Sequence, residues 1–349
     1  MLFRSLWVPK RVLVTPSALA WPHGAAIVER AAGLGSEVVR LSADRLTGLP
    51  PTYSDAKGTL AVIVASPSKR KLQPIPPSAD WRFDLAEGCP AHCQYCYLAG
   101  SLAGPPITRA YANLPEILDG LSAAIGQGQV TSRSAARQAE GTTFEAGCYT
   151  DPLGIEHLTG SLAAAITHFG TWDAPVQLRF TTKFDGVDGL LPLPHHGRTR
   201  IRFSVNAKAA ERFEGGTARM PQRLAAFRQT AMAGYPVGLV IAPIMPVPGW
   251  QEGYRQLFAD AATALEGTLN PDLTVELITH RFTPGSKDTL QGWYPGSSLN
   301  MDEAQRTRKL TKFGSTKWVF PTAVMRDLRG VIERALVDHL PAARVLYWT

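Results

Sequence analysis

Short apolar runs recur along the chain, separated by stretches in which apolar positions return every three to four residues. The first 80 residues hold an apolar run at 11–15 (RVLVT), an amphipathic stretch at 23–35 stopped by Gly35, and a second run at 37–41 (EVVRL). Extended runs flanking a 3.6-residue period predict a βαβ unit. A further strand is expected at 59–65 (TLAVIVA), followed by the basic, proline-rich connector 66–81. That connector places a boundary near residue 75.

From there the two periods alternate. Strands are expected at 81–86, 143–147, 176–181, 199–205, 237–243 and 273–279, with amphipathic helical patterns at 115–126, 154–170, 222–235 and 252–267. Strand and helix in strict alternation predict a parallel sheet with right-handed crossovers. Six such units are too few for a closed eight-stranded barrel and enough for a partial one. The expected fold class is therefore α/β: an N-terminal βαβ subdomain over 1–75, a partial (β/α)6 TIM-type barrel over 76–300, and a C-terminal extension over 301–349. The extension reads as a helix at 301–312 (MDEAQRTRKLTK), a short strand at 317–320, a helix near 322–340 and a terminal strand. Residues 126–142 lack apolar periodicity and read as a long polar loop or insertion.

Composition bounds the function classes. The chain has 349 residues, 45% of them hydrophobic, which suffices for a sizeable core. No stretch approaches the roughly 18 apolar residues of a membrane span. Arg4, Lys10 and Arg11 interrupt every apolar run near the N-terminus, so no signal peptide is expected. Scarce cysteine fits a reducing cytoplasm. The formal charge is +7, with basic residues clustered at 68–71, 195–202 and 306–309. Each cluster alone fits a solvated surface, and together they favour an anionic partner.

Three of the four cysteines, Cys89, Cys93 and Cys96, lie within eight residues, just past the first strand of the βα series. Functional loops of a parallel barrel sit at the carboxyl ends of its strands. Closely spaced thiolates on one loop can hold a four-iron cluster, which takes four cysteine ligands when fully coordinated. Three leave one iron open. A closed zinc site needs a fourth ligand such as His157, since His92 adjoins Cys93 too closely. Three buried unreactive thiols are the remaining reading.

The CxxxCxxC triplet in this context resembles the radical S-adenosylmethionine (AdoMet) superfamily. Further segments resemble one family within it, spore photoproduct lyase: GCPAHCQYCYL (88–98), FEAGCYTDPLGIEHLTGSL (144–162), LRFTTKFDGVDGLL (178–191), TRIRFSVNA (199–207), AGYPVGLVIAPI (233–244), GWQEGY (249–254), VELITHRFTPGSK (275–287) and LYWT (346–349). They run in order through essentially the whole chain.

The resemblance implies a DNA repair lyase of the radical AdoMet fold. Cys89, Cys93 and Cys96 would hold a [4Fe-4S] cluster whose open iron chelates AdoMet. The resulting 5′-deoxyadenosyl radical would take hydrogen from C6 of the methylene-bridged thymine dimer, and Cys148 would return a hydrogen atom to the opened product. Tyr95 and Tyr97 would relay the radical back. Tyr97, Thr150, Lys183, Ser204 and Ala242 are the implied AdoMet pocket. A hairpin over 311–320 is implied to meet DNA through Lys312, Phe313 and Lys317. Partners implied are damaged DNA and an electron donor such as flavodoxin or ferredoxin, with no membrane.

Two departures stand out. The family has Arg followed by Tyr where this chain has Lys312 and Phe313, which trades a bidentate fork for a point charge and a phenol for a plain ring. The 126–142 segment is also longer than its counterpart. Two alternatives stay open at this stage: an enzyme of the same build acting on another nucleotide or DNA lesion, and a zinc-bearing DNA-binding protein without catalysis.

Overall fold

The computed structural model describes residues 6–101, 104–269, 271–310 and 314–349. The chain divides into two compact units, one over Met1–Pro90, Ala103–Ile201 and Ala233–Pro236, the other over Ala91–Leu102, Arg202–Met232 and Val237–Thr349.

In the first unit, the N-terminal strands Glu37–Arg40, Arg11–Val14, Thr59–Ile63 and Thr108–Tyr111 lie side by side in that order, all parallel, with Ala86–Glu87 antiparallel at the edge. Helix Pro22–Gly33 begins with proline at a position whose N–H needs no partner. It packs Ile27, Val28 and Ala31 against Val12, Val14, Leu60 and Val62. The same unit carries the start of a larger sheet. Gln73–Ile75 pairs antiparallel with Ala79–Phe83, which is followed in parallel by Thr142–Ala146 and Val176–Thr182, and then by the beginning of Thr199–Val205.

The polar segment 126–142 is pinned from beneath. Buried Asp80 accepts hydrogen bonds from the Val130 and Thr131 amides and from the hydroxyls of Thr131 and Thr143, at 2.7–3.1 Å. Those bonds hold its carboxyl below the usual range even though burial pushes the other way. Arg137 donates to the Pro77 and Ser78 carbonyls and pairs with Glu140 at 3.0 Å. The segment is therefore anchored at its buried positions Thr131, Arg137, Glu140 and Thr142 while much of the rest stays exposed, with a short 3-10 helix at Ala135–Glu140.

The amphipathic stretch at 154–170 is two helices, Glu156–Thr159 and Ser161–Thr171. Gly160 turns the chain at φ +64, a conformation that favours glycine. The Glu156 carboxylate then caps the second helix by accepting from the Leu162 and Ala163 amides at 2.8 and 2.9 Å.

The second unit holds strands Val237–Ile244, Leu273–Thr279 and Arg344–Trp348, parallel to one another in that order. Side chains of Thr199–Val205 alternate between faces. Phe203 meets Phe227 of helix Met220–Met232 edge-on, with ring centroids 5.9 Å apart. On the other face Arg202 Nη1 donates to both carboxylate oxygens of Glu276 at 2.7 and 2.8 Å, and Tyr347 donates to the same carboxylate at 2.7 Å. The Arg202 and Glu276 charges are thus matched inside the sheet, as burial demands.

The helix expected at 301–312 does not form. A single 3-10 turn at Glu303–Gln305 leads into strand Thr307–Leu310, which pairs antiparallel with Thr316–Val319. Backbone pairing with Thr316–Val319, itself bridged to Phe282 through Trp318, outweighs local helix propensity. Helix Thr322–His339 and the terminal strand Arg344–Trp348 follow as expected.

Candidate active site

In the first unit, Gly88 and Cys89 follow strand Ala86–Glu87. Gly88 has φ +76, and a Cβ there would stand 2.1 Å from the Ile107 carbonyl oxygen, so no other residue fits before Cys89. Lys57 Nζ donates to the Cys89 carbonyl. Cys148 lies two residues beyond strand Thr142–Ala146, in a turn opened by Gly147, whose amide donates to the Phe83 carbonyl at 3.1 Å.

That turn is fastened on either side of Thr150, at Tyr149 and at Asp151. The Arg82 guanidinium lies 4.4 Å from the centre of the Tyr149 ring. Asp151 accepts from the Thr182 hydroxyl at 2.8 Å and from the Lys183 amide at 2.7 Å. The turn carrying Cys148 and Thr150 is thereby tied to the strand end carrying Lys183. Burial pushes Asp151 up to about 6, against the hydrogen bonds that favour its charge. Burial likewise pushes Asp84 up to about 6, with Arg82 pulling the other way. The Thr150 hydroxyl is buried and has no hydrogen-bond partner. A buried hydroxyl without a partner is costly, and a ligand can satisfy it.

In the second unit, Cys93 and Cys96 sit on an arm cast against segment 213–215. His92–Cys93 pairs antiparallel with Glu214–Gly215, and the Gln94 amide donates to the Phe213 carbonyl at 2.9 Å. Between the two cysteines, Tyr95 is 8% exposed and packs with Ala210, Phe213, Met245 and Val247. Its hydroxyl donates to Glu214. Tyr97 is 57% exposed, with the Arg281 guanidinium 5.9 Å from its ring centre. The two tyrosines flanking Cys96 thus occupy opposite environments.

Ser204 and Ala242 lie near the carboxyl ends of Thr199–Val205 and Val237–Ile244. Those ends are joined by Asn206, which donates to the Pro243 carbonyl at 2.8 Å and accepts from the Tyr254 hydroxyl at 2.9 Å. Tyr254 in turn accepts from the Met245 amide at 2.9 Å. Asp151, Asn206, Glu214, Arg223 and Tyr254 were not singled out by sequence reasoning. Their signal is a polar residue just past a strand end or inside a helix, which resembles ordinary surface polarity until its partners are known.

Lys317 lies on the half-buried strand of the hairpin, opposite Lys309 on the exposed one. Lys312 and Phe313 lie outside the described residues. All four cysteines are partly exposed, and none is committed to a disulfide.

The family model described as "Spore photoproduct lyase" matches residues 7–349. The spore photoproduct lyase of Geobacillus sp. (strain Y412MC61) is 39% identical over 98% of this chain and 99% of its own, and that of Bacillus subtilis (strain 168) is 37% identical over the same shares. A doubly substituted spore photoproduct lyase, solved with bound AdoMet and dinucleoside spore photoproduct, superposes with a TM-score of 0.89 at 38% identity, covering 98% of this chain and 99% of that one. The expected partial α/β barrel is therefore the fold observed. With the family model spanning nearly every residue and relatives this similar from end to end, the chain belongs to the spore photoproduct lyase family.

Proposed function

We propose that this chain repairs spore photoproduct in DNA, holding a [4Fe-4S] cluster on Cys89, Cys93 and Cys96 and AdoMet against Tyr97, Thr150, Lys183, Ser204 and Ala242. The observation that carries this reading is the turn after Thr142–Ala146. A partly exposed thiol, Cys148, and a buried hydroxyl without a partner, Thr150, are held there by a buried clamp to the residue before Lys183. Three thiols at ligand spacing, none in a disulfide, fit a cluster with one open iron.

When bound, cluster and AdoMet together supply a 5′-deoxyadenosyl radical that removes hydrogen from C6 of the lesion. The residues of the chain do the rest. Cys148 gives its thiol hydrogen to the opened thymine radical: an S–H bond breaks, a C–H bond forms, and the unpaired electron stays on sulfur. Tyr97 and Tyr95 would restore that thiol by passing on a phenolic hydrogen, and the tyrosyl radical left behind would take its hydrogen back from 5′-deoxyadenosine, so that the unpaired electron leaves the protein. Lys183 answers the AdoMet carboxylate, and the Thr150 hydroxyl gains the partner it lacks.

The hairpin at Thr307–Leu310 and Thr316–Val319 meets the DNA backbone through Lys317, with Lys312 and Phe313 falling between the two strands in sequence. A one-electron donor of the flavodoxin or ferredoxin class reduces the cluster, in the cytoplasm. No helix among the described residues is long and apolar enough to cross a membrane.

Anaerobic reconstitution with dithionite, AdoMet and dinucleoside spore photoproduct tests the proposal, with thymidylyl-thymidine followed by liquid chromatography and mass detection. Repaired dinucleoside is the expected product. Formation of 5′-deoxyadenosine with the lesion intact would move the reading to another nucleic-acid lesion.

A further inference from the structure

The arm bearing Cys93 and Cys96 is fastened, through Tyr95, by two groups that no step above uses, Glu214 and Arg223. Tyr95, between the two cysteines, donates its hydroxyl to Glu214. Glu214 pairs with Arg223 at 2.5 Å, with side chains 1% and 0% exposed. Arg223 also donates to the Ala218 carbonyl at 2.8 Å, the Ser204 carbonyl at 2.9 Å and the Thr217 hydroxyl at 2.7 Å. The backbone of Glu214 is itself the pairing partner of Cys93. One buried ion pair therefore joins the arm between two of the triplet's cysteines to the strand end carrying Ser204.

Such a pair is a poor device for stability, because desolvating both charges offsets most of their attraction and a well-packed apolar pair does as well. What it does supply is a fixed geometry and a defined charge. Groups just behind metal ligands orient them and tune the metal. We propose that Glu214 and Arg223 are positioning residues for the cluster, fixing the Cys93–Cys96 arm through Tyr95 and balancing the charge beside it. The inference rests on the cluster reading given above.

Two variants separate the parts of this role. Glu214→Gln removes the negative charge and leaves Arg223 positive. Tyr95→Phe keeps both charges and the ring but cuts the link. Each is reconstituted anaerobically with iron and sulfide beside the wild type. Iron and sulfide per chain are measured after a chelator challenge, and the reduced fraction is followed by electron paramagnetic resonance at fixed solution potentials.

Glu214→Gln is expected to lose iron faster and to raise the reduced-to-oxidised ratio severalfold at a given potential, since a net positive neighbour favours the more negative cluster. Tyr95→Phe is expected to lose iron faster with that ratio unchanged. A merely structural role moves loading in both and the ratio in neither. If Glu214→Gln fails to fold, wild-type iron retention in Tyr95→Phe still overturns the assignment. Wild-type loading and ratio in both variants overturn it equally. A wild-type chain that takes up no iron refutes the cluster reading itself, a result distinct from either.

Discussion

The turn carrying Cys148 and the hairpin carrying Lys317 are built on opposite electrostatic rules. In the turn, opposite or complementary groups meet: Asp151 receives the Thr182 hydroxyl and the Lys183 amide, and Arg82 lies over Tyr149. In the hairpin, like charges meet: Lys309 stands directly opposite Lys317 across the two strands. Burial, Arg281 and Lys309 together hold the Lys317 ammonium below its ordinary range. Strand Thr307–Leu310 is exposed at every position. A directly opposed like-charge pair weakens a ribbon, so the hairpin forgoes internal stability that the turn has. The difference separates the residues that must be held in one geometry from those that wait for a negative partner.

The sharpest break in this comparison comes from the cysteines. Cys96→Ala is expected to abolish the visible absorbance of the reconstituted protein and to reduce lesion repair to background, because the remaining two thiolates of the triplet cannot hold the cluster. Hairpin variants should leave that absorbance intact. Retained colour and repair in Cys96→Ala would remove the site from the triplet altogether.

Next in size is the donor thiol. Cys148→Ala is expected to keep consuming lesion and AdoMet while the share of intact thymine product falls severalfold and by-products rise. The substitution leaves the clamp of Asp151 on Thr182 and Lys183 in place, so loss of fold is not expected to intervene. An unchanged product distribution would show that the hydrogen atom comes from elsewhere.

How far these roles were legible depends on the range of the interactions. The strands and the triplet are written in local patterns, period-two runs and fixed cysteine spacing, and the structure places the strands within a few residues of expectation. Arg202 and Glu276 also follow the local alternation. What the alternation cannot say is that the polar face points into a sheet interior, where Arg202 and Glu276 pair. The 126–142 segment reads as a long polar loop or insertion, and its anchoring is not legible because Asp80, the anchor, lies some 50 residues earlier. The misread helix at 301–312 has acidic residues near its start and basic ones near its end, a good helical arrangement in isolation. Its fate is set by strand Thr316–Val319 and by Phe282. Glu214 and Arg223 carried no motif, and only the fold brings them to Tyr95.

A smaller effect sharpens the account of the turn. Folding raises the Asp151 carboxyl from 3.8 to about 6 through burial. The folded state therefore binds a proton that the unfolded chain releases between those values. This contribution to stability is present in full below the unfolded value and is lost as pH rises through the folded one. Asp151→Asn cannot titrate and lacks that slope. The unfolding free energy of the wild type, measured in urea relative to Asp151→Asn, is expected to fall by on the order of 2–3 kcal/mol between acid and neutral pH. Asp84 titrates in both proteins and cancels. A difference that stays flat with pH would show that Asp151 is charged at little cost, and that the turn is not clamped by a buried carboxylate.

The smallest effect tests the hairpin, and its two readouts should move in opposite directions. Lys317→Gln removes one member of the facing pair with Lys309. Relieving a direct cross-strand repulsion stabilises a ribbon by a few tenths of a kcal/mol up to about 1 kcal/mol, so the thermal midpoint should hold or rise slightly. DNA affinity should fall severalfold and by the same factor for every sequence, since a lysine on a phosphate positions without reading bases. The slope of log affinity against log salt should shrink by about 0.9 on duplex DNA, or about 0.7 on single strands, because one phosphate is no longer neutralised. The turn gives no such signature, because its charges are matched inside the protein. If the midpoint drops while the salt slope stays at the wild-type value, Lys317 serves the fold and not the DNA, and the contrast between the two regions fails at its weaker end.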